Sequence, residues 1–146
     1  NNNILITGMQ MEVGDFDANS IAPFQHESFG DNLSRCQRYF CKSYDYDVAA
    51  GAANTVVGSI ATRNYAYTGD GSPFIHGDFP VTMRDNPTVT TFDYAGNSGK
   101  INGPSNASIT ATVYQQGMSG FNVLNSSGSS VSGGDYYVNF KAESEL

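Results

Sequence analysis

Ile109-Thr110-Ala111-Thr112-Val113-Tyr114-Gln115, followed after a short Gly-containing break by Gly120-Phe121-Asn122-Val123-Leu124, carries the pattern that decides the fold class. Thr110, Thr112 and Tyr114 alternate with Ala111, Val113 and Gln115. That two-residue period belongs to a strand with one face in a core. Near the end of the chain, Tyr136, Val138 and Phe140 alternate with Tyr137, Asn139 and Lys141, so bulk lies on both faces. The outward aromatic there reads as a surface for a partner.

Outward from these two segments, further strands are expected over 54–60, 62–67, 74–83, 88–94, 109–115, 120–124 and 135–143. Turn clusters separate them: Thr68-Gly69-Asp70-Gly71-Ser72-Pro73, Ala95-Gly96-Asn97-Ser98-Gly99 and Asn125-Ser126-Ser127-Gly128-Ser129-Ser130. No amphipathic helix of ten or more residues interrupts the series. Short strands and frequent turns predict an all-β fold, an antiparallel jelly-roll-like β-sandwich. The apolar run at 4–13 reads as one more strand, ending in alternating Met9, Met11 and Val13. Residues 14–30 are rich in Asp, Asn, Ser, Pro and Gly and read as an extended linker. Asp31 reads as the cap of a short helical turn, and 36–46 as a long strand in which Tyr39 shares a face with Cys41. The organisation expected is a terminal strand plus linker over 1–30 and a β-sandwich domain over 31–146.

Composition sets the bounds on function. A chain of 146 residues holds one core of ordinary size, and nine Tyr with nine Phe supply its area. A net charge of −7 with only seven Lys and Arg, scattered, argues against nucleic acid as a partner and against anionic membranes. No apolar run reaches the roughly 20 residues of a membrane span, so membrane insertion is not expected. Cys36 and Cys41 would point to opposite faces of one strand, which predicts two buried free thiols rather than a disulfide. Free thiols fit assembly in a reducing cytoplasm.

Two denser blocks stand apart from this general pattern. Ser28-Phe29-Gly30-Asp31-Asn32-Leu33-Ser34-Arg35-Cys36-Gln37-Arg38-Tyr39-Phe40 is introduced by Met11-Glu12-Val13-Gly14 and Ala22-Pro23-Phe24, and Phe79-Pro80-Val81-Thr82-Met83-Arg84-Asp85-Asn86-Pro87-Thr88-Val89-Thr90 follows. Together with the closing stretch 136–146, they resemble the C-terminal domain of tailed-phage tail-fibre and virion appendage proteins. The loops match nothing in particular. The resemblance implies a structural virion protein, a host-recognition knob on a tail fibre or capsid-surface appendage, assembled in the host cytoplasm. It also implies a homotrimer joined to other appendage components, with Met9, Met11, Phe24, Phe29 and Tyr39 at the junction between subunits. The partner outside the virion would be a host cell-surface glycan or protein.

Chemistry-bearing groups are few. His26 and His76 are the only histidines, and neither stands in a catalytic or metal-ligand motif. No catalytic residue and no cofactor site is expected, and the chain is read as a non-enzyme. Asp15 with Asp17, Asp45 with Asp47, and Asp70 with Asp78 are acidic pairs without a calcium-loop signature, which leaves a bound cation open. Arg35, Arg38 and Arg84 are read as structural, with Arg38, flanked by Tyr39 and Phe40, either stacking or forming an ion pair that locks its strand to a neighbour. Asn106-Ala107-Ser108 and Asn125-Ser126-Ser127 fit the N-glycosylation pattern and are given no role. For recognition, loop aromatics beside polar groups are the candidates: Tyr65, Tyr67, Asp70, Phe92, Tyr94 and Asn97. Such rings pack on the C–H face of a sugar while Asp and Asn bind its hydroxyls. Sheet packing is the competing reading of the same tyrosines. Two other functions fit the composition, a carbohydrate-binding module of a secreted enzyme and an appendage-borne polysaccharide depolymerase.

Overall fold

The computed structural model describes residues 13–15, 17, 20, 26–63, 74–126 and 134–144. In chain order these form α1 (Phe29–Gln37), β1 (Phe40–Lys42), β2 (Ile60–Arg63), β3 (Phe74–Asp78), β4 (Thr88–Phe92), β5 (Lys100–Asn102), a 3-10 turn (Pro104–Asn106), β6 (Ser108–Tyr114), β7 (Gly120–Asn125) and β8 (Asp135–Glu143). The fold is all-β and antiparallel, with one short helix.

The nine-residue β8 organises the sheet. Its first half pairs with β2 and touches β5 through Asn102 and Tyr137, and its second half pairs with both β1 and β4. From β5 the ladder continues through β6 and β7 to β3. Because β8 changes partners along its length, all eight strands belong to one connected, curled sheet rather than two separable sheets. The curl brings β3 back beside β2. A Cβ placed on Gly77 would lie 2.8 Å from Ile60 Cδ1 and 2.7 Å from the Phe121 ring.

The curl encloses the apolar side of the alternation read from sequence. Ile75, Phe79, Met83, Ile101, Phe121, Val123, Tyr136, Val138, Phe140 and Ala142 are buried together. At the centre, the Phe121 and Phe140 rings meet at 4.8 Å, and Phe79 stacks on Phe121 at 5.6 Å. Each such side chain contributes about 1.5–3 kcal/mol by leaving water. The other side of β8 is closed by polar chains. Asn139, fully buried, accepts from Ser43 Oγ at 3.0 Å and donates to the Thr55 carbonyl at 3.3 Å.

Several expectations need correction. The segment 36–46 is not a long strand, because α1 runs to Gln37 and only Phe40–Lys42 is extended. Nor does Asp31 cap the helix. Ser28 does, its Oγ accepting from the Asp31 amide at 3.1 Å and donating to the Asp31 carboxylate at 2.6 Å. That is a Ser-x-x-Asp capping pattern, and it starts the helix three residues earlier than a cap at 31 allows. Glu27 adds an ion pair to Arg35 at 2.9 Å. The helix consequently runs across the expected boundary at residue 30. Cys36 lies on it, exposed, whereas Cys41 is buried in β1 with its thiol pKa pushed up to about 11 by burial. Strand 54–60 is a loop up to Ile60, strand 74–83 stops at Asp78, and β5 was not expected. The opening strand over 4–13 lies almost wholly outside the described residues.

The sequence blocks from the start, middle and end of the chain meet in space. The Arg84 amide donates to the Arg38 carbonyl and the Ser144 amide to the Tyr39 carbonyl, both at 2.8 Å. Asp85 N–H donates to Ser144 Oγ at 3.0 Å. The Arg84 guanidinium, not that of Arg38, sits 5.5 Å from the Tyr39 ring centroid. These residues act as framework.

Candidate functional site

Strand β3 alternates cleanly, with Ile75 and Gly77 inward and Phe74, His76 and Asp78 outward. Gly77 is required where it stands, since any side chain there would strike Phe121 and Ile60. With β3 held that close, the register across three strands is fixed: His76 faces Asn122 of β7, which faces Tyr114 of β6, and Phe74 faces Leu124, which faces Thr112. The outward side chains therefore form a patch that no single segment of sequence contains.

Its polar part is a continuous row. His76 Nε2 lies 3.1 Å from Asp78 Oδ1, and Nδ1 lies 2.8 Å from Asn122 Oδ1. Asn122 Nδ2 in turn donates to Gln115 Oε1 at 2.8 Å. Gln115 is held back over the row by a left-handed backbone (φ 49°), a conformation that costs a non-glycine residue about 1–2 kcal/mol. Oxygen acceptors at both ring nitrogens favour the doubly protonated imidazole. The His76 pKa is raised, chiefly by the Asn122 bond and next by Asp78. The apolar part is Phe74, half exposed at 51%, with Tyr114 set edge-on to it at 5.7 Å. Further along β6, Thr112 Oγ1 and Ser126 Oγ share a short hydrogen bond, and Lys100 Nζ donates to Thr110 Oγ1 at 2.7 Å.

A ring open on one face beside fixed carboxylate, amide and imidazole groups is the equipment for a polyhydroxylated ligand. The ring takes the C–H face, and the row supplies paired donors and acceptors. Side chains anchored on strands hold such a pattern more closely than loop residues do.

The residues chosen from sequence fare differently. Tyr65, Tyr67 and Asp70 lie outside the described residues, as do Met9, Met11 and Phe24. Phe92 is corrected: it is buried, edge-on to Tyr44 at 6.3 Å, with its ring 3.0 Å from where a Cβ on Gly51 would stand. Tyr94 is half-buried. Asn97 is exposed, but its side chain donates to buried Asp93 at 2.9 Å, so it serves the turn. Phe29 is exposed at the first turn of α1 and Tyr39 at the end of the block beneath Arg84. Tyr137 is half-buried and lines a cleft of about 380 Å³ with the Pro104–Asn106 turn and Asp135.

Of the acidic pairs, Asp17 closes a turn with Ser20, and Asp78 belongs to the histidine row. In the Asp45–Asp47 loop the Lys42 ammonium donates to the Tyr46 and Val48 carbonyls. Among the described residues no three His, Cys, Asp or Glu side chains cluster as metal ligands, and no helix is long and apolar enough to cross a membrane. Sequence reasoning missed the row because His76, Asn122 and Gln115 meet only through strand register. The available signal was Phe74, His76 and Asp78 on one face of a strand. Comparison of the chain with protein-family models, curated proteins and solved structures gives no match.

Proposed function

We propose that the chain is a non-enzymatic host-recognition head of a phage tail fibre or surface appendage, working as a homotrimer and binding a cell-surface glycan through the outer face of β3, β7 and β6. The observation that carries the glycan reading is the half-exposed Phe74 ring beside the Asp78–His76–Asn122–Gln115 row. The virion reading rests on the sequence blocks, and their meeting at Tyr39, Arg84 and Ser144 supports treating them as one framework. Trimerisation has a physical use here: three weak sites acting together raise avidity without new contacts. Exposed Phe29 and Tyr46 offer apolar area for such an association.

Two measurements test this. Light scattering on the purified chain should give three times the monomer mass, and a stable monomer at micromolar concentration counts against the trimer. Fluorescently labelled protein should bind host cells, with Phe74→Ala weakening binding about tenfold, the effect of losing roughly 1.4 kcal/mol at one anchor. Unchanged binding by that variant removes the site. Release of oligosaccharides from host capsule would replace this reading with a depolymerase.

A further inference from the structure

The hydrogen-bond row has a direction, and one proton sets it. With His76 charged, Nε2–H donates to Asp78 and Nδ1–H to Asn122 Oδ1. Asn122 can then pass on only its NH2, which donates to Gln115 Oε1. Gln115 is left presenting its own NH2 outward. When His76 loses a proton, the carboxylate keeps the remaining N–H because an ionised acceptor holds the stronger bond. Nδ1 becomes a lone pair facing an oxygen. The repulsion is removed if the Asn122 amide turns over and donates NH2 to Nδ1. Its oxygen now faces Gln115 Oε1, so Gln115 must turn as well, donating NH2 to Asn122 and presenting Oε1 outward.

We propose that His76 is the specificity-setting residue of this face: its protonation state decides whether Gln115 offers a bound saccharide an N–H donor or a carbonyl acceptor. This rests on reading the face as the glycan site. A sugar with an acceptor-only group opposite Gln115, such as an acetamido carbonyl, is favoured by charged His76 and disfavoured by neutral His76. Hydroxyls, which both donate and accept, are affected less. Among the described residues the charged group bonded to His76 is Asp78, on its own strand; β2, packed beside β3, carries Arg63, which pairs with Asp135. From β7 His76 meets Asn122, and beyond that lie Tyr114 of β6 and Gln115 just past its end. The bonds from Asn122 and Asp78 raise the pKa from the ordinary histidine value, against an opposing effect of burial.

The test is an NMR titration of the whole chain, following the His76 ring and the side-chain NH2 signals of Asn122 and Gln115. Both NH2 signals should move with the midpoint of the ring. Asp78→Asn should lower all three midpoints together, and His76→Gln should leave the NH2 signals flat with pH. NH2 signals that stay still while the ring titrates overturn the proposal, as does a midpoint unrelated to His76. The ligand arm uses the methyl glycosides of N-acetylglucosamine and glucose on either side of that midpoint. The acetamido compound should lose affinity about three- to tenfold above it, the size of one net hydrogen bond, and the glucoside less. A gain for the acetamido compound overturns the proposal. If neither glycoside binds although the amides follow the proton, the proton-set polarity of the row is supported and the glycan reading of the face fails.

Discussion

The two faces of the β3–β7–β6 sheet are built from alternate residues of the same strands and do opposite work. Inward, Ile75, Phe121 and Val123 are buried in one cluster with Phe79 and Phe140. Outward, Phe74, His76, Asn122 and Tyr114 are tied to one another and leave a ring face and polar atoms open. The difference teaches that the core fixes where the outer side chains stand, so the outer face can be specific in geometry while contributing little to stability.

The largest effect expected from breaking this contrast is Phe121→Ala. It removes the ring between Phe79 and Phe140 and should cost about 3–5 kcal/mol, read by urea unfolding. A loss under about 1 kcal/mol would mean that the inner face is not the core. Next comes Gly77→Ala, which tests the close approach of β3 to its neighbours. A methyl 2.7 Å from the Phe121 ring forces repacking at about 1–3 kcal/mol. An unchanged melting temperature would show that β3 does not lie that close to Phe121.

The turn from β4 to β5 carries a comparable but pH-dependent effect. Burial by itself would raise the pKa of Asp93, but hydrogen bonds from Ser108, Asn97 and the backbone outweigh it, and the pKa is lowered. A depressed carboxylate stabilises the fold fully above its unfolded pKa, and that contribution is lost as pH falls through the folded value. Asp93→Asn should therefore destabilise by about 1–3 kcal/mol at neutral pH and flatten the acid limb of the stability profile. An equally steep acid limb in the variant would place the titration elsewhere. The smallest effect is that of Phe74→Ala on stability, about 0.5 kcal/mol or less as for other exposed positions. A much larger loss would make Phe74 part of the core rather than of a free face.

Sequence made the inner face legible and the outer one only in fragments. Alternation marked 135–143 as a strand with bulk on both faces; the structure has those bounds and buries Tyr136, Val138 and Phe140, and it buries Asn139 on the other face as well. Strand 109–115 was right within one residue at each end. What periodicity cannot carry is capping and register. Ser28 reaches three residues forward to Asp31, and that local bond starts a helix that takes Cys36 and Gln37 out of the stretch expected as strand. The His76–Asn122 contact spans 46 positions, and nothing in either strand alone announces the other. Phe92 and Tyr94 drew notice as loop aromatics because they precede a Gly-Asn turn, yet that turn folds inward around Asp93. The same chemistry of ring beside amide and carboxylate lies instead on the flat of the sheet.

The central claim is that the outer face of β3, β7 and β6 receives a saccharide while the inner face only holds it in place. The direct measurement is an NMR titration with oligosaccharide released from the host surface. The account predicts shift changes centred on Phe74, His76, Tyr114, Gln115 and Asn122, abolished by Phe74→Ala while the spectrum stays folded. Changes centred on another part of the chain, or surviving that substitution intact, would contradict it.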